Sequence, residues 1–315
     1  GYDWQTQGYW KYAEHPATIA QYLAINKDGF NPYKNLNGDY KLEDGIYYIY
    51  DPTHEYHRKG ITLDKFKEMD IDVVIASVPA HFSTFTKLIN DCKPTAKLIC
   101  HFGNILWRIA DYPYKNILAS ISPEPVPDGF NVCFYHQEFD TEIYAPRPVT
   151  DIKNLTSFVN WLPDQFKTDY AFIQELATEL PEYEFRLHGA GCPAGPVTGE
   201  RAIAHKMNSA TFGLHLKEHG DGYGHVIHNW FAVGKPVIFN SVHYKEKLAG
   251  LLMEDGVTGV DVRDKTTKEV AKAIRGMYEP LNYQMACQTS LARWKETVNF
   301  DLEFTRIQDF FNNLI

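Results

Sequence analysis

Apolar residues run almost without interruption through Asp72-Val73-Val74-Ile75-Ala76-Ser77-Val78, the pattern of a strand buried on both faces of a parallel sheet. Around it the spacing changes to that of helices. Residues 63–69 and 82–89 predict short helices, and 96–100 and 131–135 predict further strands. An earlier strand is predicted at 46–50, where β-branched and aromatic residues stop at Asp51-Pro52, and an earlier helix at 17–23. Pro146 and Pro148 then restrict the backbone between Tyr144 and Thr150, which marks a linker. Beyond it the alternation restarts. Strands are predicted at 155–159, 183–187, 209–216, 235–239 and 259–262, and helices at 170–180, 226–233, 245–253 and 268–277. In the first of these helices Ile173, Leu176, Ala177 and Leu180 share a face. After Pro280 the positions Phe300, Phe304, Ile307 and Phe311 recur at helical spacing, so the chain should end in one or two helices. Two α/β units in tandem account for the whole pattern.

Composition narrows the functional classes. A length of 315 residues exceeds what one core usually organises, and 44% hydrophobic with 23% charged residues excludes a disordered or collagen-like chain. No apolar run is long enough to cross a bilayer, and the first residues do not resemble a signal peptide, so a cytoplasmic protein is expected. The formal charge of −9 argues against broad adhesion to nucleic acid or anionic lipid, while leaving room for a local cationic pocket. Five widely spaced cysteines outline neither a disulfide framework nor a zinc cluster.

The most informative segment is His219-Gly220-Asp221-Gly222-Tyr223-Gly224-His225, followed by Val226-Ile227-His228-Asn229-Trp230-Phe231-Ala232-Val233-Gly234-Lys235-Pro236-Val237-Ile238. A glycine turn opens a helix, the helix stops at Gly234, and an apolar strand follows. Unpaired amides and the positive dipole end of such a helix can hold a phosphate. Taken alone, the glycines serve a plain tight turn equally well.

This segment resembles the donor-binding signature of retaining, nucleotide-sugar-dependent glycosyltransferases of the GT-B fold: an acidic residue, a Gly-Phe-Gly-like turn, a helix with a second glutamate, and Gly-x-Pro-Val-Ile. The resemblance implies two Rossmann-like domains and a C-terminal helix, with an acceptor domain over residues 1–146 that lacks the usual opening strand. A nucleotide-sugar domain would span 147–285, and helices over 286–315 would pack back toward the first domain. Asp221 falls at the first acidic position, which the family places near the transferred sugar. Gly222, Tyr223 and Gly224 match the turn on the diphosphate, with His225 directly behind it. Asn229, eight residues after Asp221, stands where the ribose-binding glutamate is expected; it keeps a hydrogen-bonding group and loses the charge. Trp230 and Phe231 replace the small residues that usually follow. Upstream, Gly189 and Gly191 resemble the glycine loop before the nucleotide, and Asn160 through Lys167 resemble the loop that brings a cation to the donor phosphate. The likeness is specific mainly from His188 to Ile238.

Lys167 is preferred over Arg147 for the diphosphate because it lies between a predicted strand and the next helix. Among 13 histidines, His81 and His101 follow or end predicted strands of the first unit, which places them toward the crevice at the carboxyl ends of a sheet. His228 and Asn229 point about 100° apart on a helix, so one of the two should face the nucleotide, and the family pattern selects Asn229. The pairs Glu138 with Asp140 and Glu182 with Glu184 lack the separation a glycosidase needs. His215 with His219, and Asp261 with Asp264, are weak metal candidates, and no metal or cofactor is expected beyond the nucleotide-sugar donor itself. The expectation is sugar transfer from a nucleoside-diphosphate sugar to a hydroxyl acceptor, with retention. A nucleotide-sugar 2-epimerase and a non-catalytic sugar-nucleotide or glycan binding protein stay open as alternatives, the second because of Asn229.

Overall fold

The computed structural model describes residues 40–44, 46–51, 56–61, 63–76, 82–103, 114–121, 126–148, 153–245 and 247–314. The helix expected at 17–23 and the candidate His81 lie outside the described residues.

A small antiparallel meander comes first: β1 (Tyr40–Glu43), β2 (Ile46–Asp51) and β3 (Tyr56–Ile61), with Tyr40 opposite Ile49 and Ile46 opposite Ile61. Residues 46–51 are therefore a hairpin strand rather than the start of a βαβ unit. Helix α1 (Leu63–Glu68) leads into a four-stranded parallel sheet, β4 (Val73–Ala76), β5 (Lys97–Phe102), β6 (Asn116–Ala119) and β7 (Asn131–Phe134), whose spatial order follows the chain. Helix α2 (Phe82–Cys92) connects β4 to β5. Phe66, Val74, Phe82, Phe85, Ile117 and Ile121 close this core. Among the described residues the apolar strand β4 lies at the edge of this sheet, with Ile75 40% exposed.

The second sheet is also parallel: β8 (Asn154–Phe158), β9 (Glu184–His188), β10 (Phe212–His215), β11 (Val237–Phe239) and β12 (Gly259–Asp261), in the order β12-β11-β10-β8-β9. Helices α3 (Leu162–Gln165), α4 (Lys167–Glu179), α5 (Glu200–Asn208), α6 (His225–Ala232) and α7 (Thr267–Met277) connect or flank its strands. One face packs through Leu155, Ile173, Leu176, Leu214, Val260 and Ile274, and the other through Met207, Ile227, Trp230, Phe231 and Phe239. Strand order reverses between β8 and β10, so the chain leaves these neighbours in opposite directions and opens a crevice at their carboxyl ends.

Two elements differ from the expectation. The described residues of 245–253 form no α-helix; short 3-10 turns occupy Ser241–His243 and Leu248–Leu252. A Cβ on Gly250 would lie 2.1 Å from the Tyr244 carbonyl oxygen, a closeness that only glycine permits. Helix α8 (Pro280–Thr297) packs on α6 and α7, and α9 (Phe300–Asn312) then lies against β7. Phe310 of α9 packs with Ile99, Leu118 and Cys133 of the first sheet, while Phe304 points outward at 62% exposure. The buried face of α9 thus runs through Glu303 and Phe310 rather than through Phe304.

Candidate functional site

The glycine segment leaves β10 at the crevice and enters α6. His219 and Gly220 both adopt left-handed backbone conformations, at φ 67° and 65°. Gly224 is the N-cap at φ 81°, and its missing side chain makes room for Ala249, whose Cβ would lie 2.9 Å from an added one. No side chain caps α6; the Ile227 amide donates to the Gly224 carbonyl, and the positive end of the helix dipole lies behind the amides of His225 and Val226. At the other end Gly234 is left-handed, and the Lys235 amide donates to the Trp230 carbonyl, which terminates the helix.

Asp221 is the electrostatic centre of this loop. Its Oδ2 accepts from His215 Nε2 at 2.8 Å and from the Tyr244 hydroxyl at 3.4 Å, and its Oδ1 pairs with Lys217. Burial alone would raise the carboxyl pKa; the hydrogen bond and charge of His215 and the charge of Lys217 outweigh it and hold the group well below the usual carboxylate range. Lys247, almost fully buried, donates to the carbonyls of His219, at 2.9 Å, and of Asp221. Burial lowers the Lys247 pKa against the opposing charge of Asp221. On the other side Asp169, in the first turn of α4, accepts from the Glu218 amide at 2.5 Å; burial raises its pKa. Lys217, His215 and Tyr244 therefore hold the carboxylate beside the helix end while Lys247 holds the backbone of the same residue, and Lys217, 28% exposed at its side chain, is the more exposed of the two lysines. Sequence reasoning named Asp221 but missed Lys217, His215, Tyr244 and Lys247 as its partners. Lys217 lies only four residues from Asp221.

The remaining expected donor residues occupy different environments. Asn229 is buried, 3% exposed, and its Oδ1 lacks a hydrogen-bond partner among the described residues. His228 is fully buried; its Nδ1 donates to the Gly224 carbonyl at 3.0 Å, and burial lowers its pKa to about 3. Tyr223 does not lie open beside the turn: it is 2% exposed, stacked on His228 at 4.1 Å, with its hydroxyl donating to the Gln137 carbonyl at 3.5 Å. His225 turns its ring toward Phe139 and Tyr223, and burial lowers its pKa. Asn160 accepts from the Ala190 amide at 2.9 Å and so shapes the loop after β9. Gly189 lies against the Val159 carbonyl and Gly191 under the Trp161 ring, both too close for a Cβ. Lys167 is exposed at the start of α4.

Across the crevice, the Ile121 carbonyl beyond β6 accepts from the Leu248 amide at 3.0 Å, and Gln137 beyond β7 meets Tyr223. His101, on β5, bonds the Tyr135 hydroxyl through Nε2 at 2.8 Å, and burial lowers its pKa. The carboxyl ends of the two sheets therefore face a common space, with the glycine turn on one side. Among the described residues no group of three or more metal-ligating side chains converges. His215 is committed to Asp221, and Asp261 accepts from the amides of Ser241 and Arg263. Glu182 pairs with Arg275 and Glu184 with Arg186, which accounts for both as surface ion pairs. No helix among the described residues is long and apolar enough to cross a membrane.

Solved structures share this fold. HepE from Anabaena, crystallised with UDP and glucose, superposes with a TM-score of 0.59 at 15% identity, over 79% of each chain. A glycosyltransferase from Rickettsia africae gives 0.58 at 10% identity, over 80% of this chain and 79% of the other. The pneumococcal O-GlcNAc transferase GtfA, crystallised with UDP and GlcNAc, gives 0.55 at 11% identity, over 86% of this chain and 64% of its own. The fold is GT-B, with a C-terminal helix. No family model matches the sequence, and no curated protein sequence matches it. In the GT-B frame the glycine turn belongs to the second α/β unit, and it opens onto the space between the two sheets.

Proposed function

We propose that the chain transfers a sugar from a nucleoside-diphosphate sugar to a hydroxyl acceptor, with retention of anomeric configuration. The uncapped N-terminus of α6 carries this reading: it projects from a parallel sheet at the point where strand order reverses, beside Lys217 and Lys247. A diphosphate held there would accept hydrogen bonds from the amides that follow Gly224. Lys217 would balance the charge that grows on the leaving group as the glycosidic bond breaks. Asp221 would orient Lys217 and lie toward the sugar. The unpaired Oδ1 of Asn229 is an acceptor suited to a ribose hydroxyl, the role expected at that position. Lys167 and the loop shaped by Asn160, Gly189 and Gly191 would border the nucleotide, and His81 and His101 would serve the acceptor side.

One observation favours a second reading, binding without transfer: both oxygens of Asp221 are already engaged within the protein, Oδ2 by His215 and Tyr244 and Oδ1 by Lys217. Calorimetric titration with UDP, GDP, ADP, CDP and their sugars, followed by product analysis with hydroxyl acceptors, separates the two. Transfer is expected for one donor. Tight binding with no transferred or hydrolysed sugar would favour the second reading, and equal affinity for a nucleoside and its diphosphate would remove the phosphate role.

A further inference from the structure

A buried polar chain runs from the last helix to the glycine turn. Glu303 of α9 is 5% exposed and grips His136 twice: Oε1 accepts from His136 Nδ1 at 2.7 Å, and Oε2 accepts from the His136 amide at 2.5 Å. The His136 ring meets His228 edge to face at 5.4 Å and Tyr223 at 6.2 Å. His228 stacks on Tyr223 and donates to the carbonyl of Gly224, the N-cap of α6. Each link is packed against the next, so the position of one carboxylate on α9 bears on the backbone that would receive the donor. Burial alone would raise the Glu303 pKa, and the two His136 hydrogen bonds and its charge reverse this. Burying a carboxylate this deeply carries a large desolvation penalty that a hydrophobic residue at the same place in the helix face would not. Both Glu303 oxygens reach His136, the residue that buttresses the turn, and the Asn299 backbone at the start of α9 adds a further hydrogen bond to the carboxylate.

We propose that Glu303 is a positioning residue: through His136 it sets the glycine turn, so that the C-terminal helix must be docked on the first sheet for the donor site to take its shape. The proposal rests on the donor reading for its consequence but not for its geometry, and the test separates them. Amide hydrogen exchange is compared in the full-length wild type, Glu303→Gln and Glu303→Ala, with nucleoside-diphosphate affinity measured by calorimetry on the same samples. Glu303→Gln keeps an acceptor for the His136 amide and loses the charge. Exchange over residues 220–228 should rise by about tenfold in Glu303→Ala and less in Glu303→Gln, with no change in α7. Diphosphate affinity should fall in the same order, again by about tenfold in Glu303→Ala. Unchanged exchange at the turn would overturn the proposal, and so would a rise of equal size in α7, which would mark general destabilisation. If the wild type binds no nucleotide, the donor reading fails while the exchange comparison still decides the role of Glu303. Should Glu303→Ala not fold, Glu303→Gln and Glu303→Asp carry the same comparison, with exchange slowed again in Glu303→Asp relative to Glu303→Gln.

Discussion

Replacing Asp221 with asparagine keeps the size of the side chain and removes its charge, leaving Lys217 without a counter-ion and the buried His215 Nε2 without its charged acceptor. The His215 bond is 2.8 Å long, and His215 is 1% exposed at its side chain, so its loss is barely screened by water. Lys217 is 28% exposed, so its share is smaller. A hydrogen bond to a charged group contributes roughly 1.5–3 kcal/mol, and removing one partner of a buried pair costs about 3–5 kcal/mol. Discounting the Lys217 side, Asp221→Asn should destabilise the fold by about 3 kcal/mol near neutral pH. The folded carboxyl pKa is depressed, so the stabilisation is complete above the unfolded value of about 3.9 and is lost as pH falls toward the folded one. Urea unfolding of wild type and variant should therefore show a constant gap between about pH 6 and 8 that closes below about pH 4. A gap under about 1 kcal/mol, or one that persists undiminished in acid, would refute the argument. In transfer assays the same variant should lose about tenfold or more in kcat, with a smaller loss of nucleotide affinity. Unchanged kinetics in the folded variant would remove Asp221 from the reaction.

Asn229→Ala removes an unpaired buried oxygen, so the free protein should lose little stability, while nucleoside-diphosphate binding weakens by roughly 0.5–1.5 kcal/mol; calorimetry together with unfolding curves checks both. Asn229→Glu restores the charge expected at that position, and a gain in ribose-dependent affinity would show that the pocket accepts it. Gly224→Val forces a β-branched residue into φ 81° and brings its Cβ to 2.9 Å from that of Ala249. Stability should fall by about 1–3 kcal/mol from backbone strain, and diphosphate binding should fall with it. Binding that survives intact would exclude close approach of the ligand to the turn.

Much of the secondary structure was legible because local physics decides it. Strands β5 and β7–β12 lie within or beside the stretches that their apolar runs predicted, and α6 begins and ends at the glycines that mark its boundaries. Strand β6 went unread because four residues following a polar stretch make a weak period, and α5 because its burial rests on Ala204, Met207 and Asn208 alone. The 3-10 turns after β11 passed for a helix: an apolar run such as Leu248-Ala249-Gly250-Leu251-Leu252 has helical composition, and only packing against Tyr244 tightens it. The site divides in the same way. The glycine turn could be read directly, since left-handed backbone and close approach demand glycine wherever they occur. The full set of partners around Asp221 could not, because Tyr244 and Lys247 arrive from the far end of β11. The carboxylate that grips His136 stands 167 residues away from it. Pairings of that kind depend on which sheet edge each segment reaches once the chain has closed on itself, and no local pattern encodes them; two parallel sheets and a returning helix brought them together.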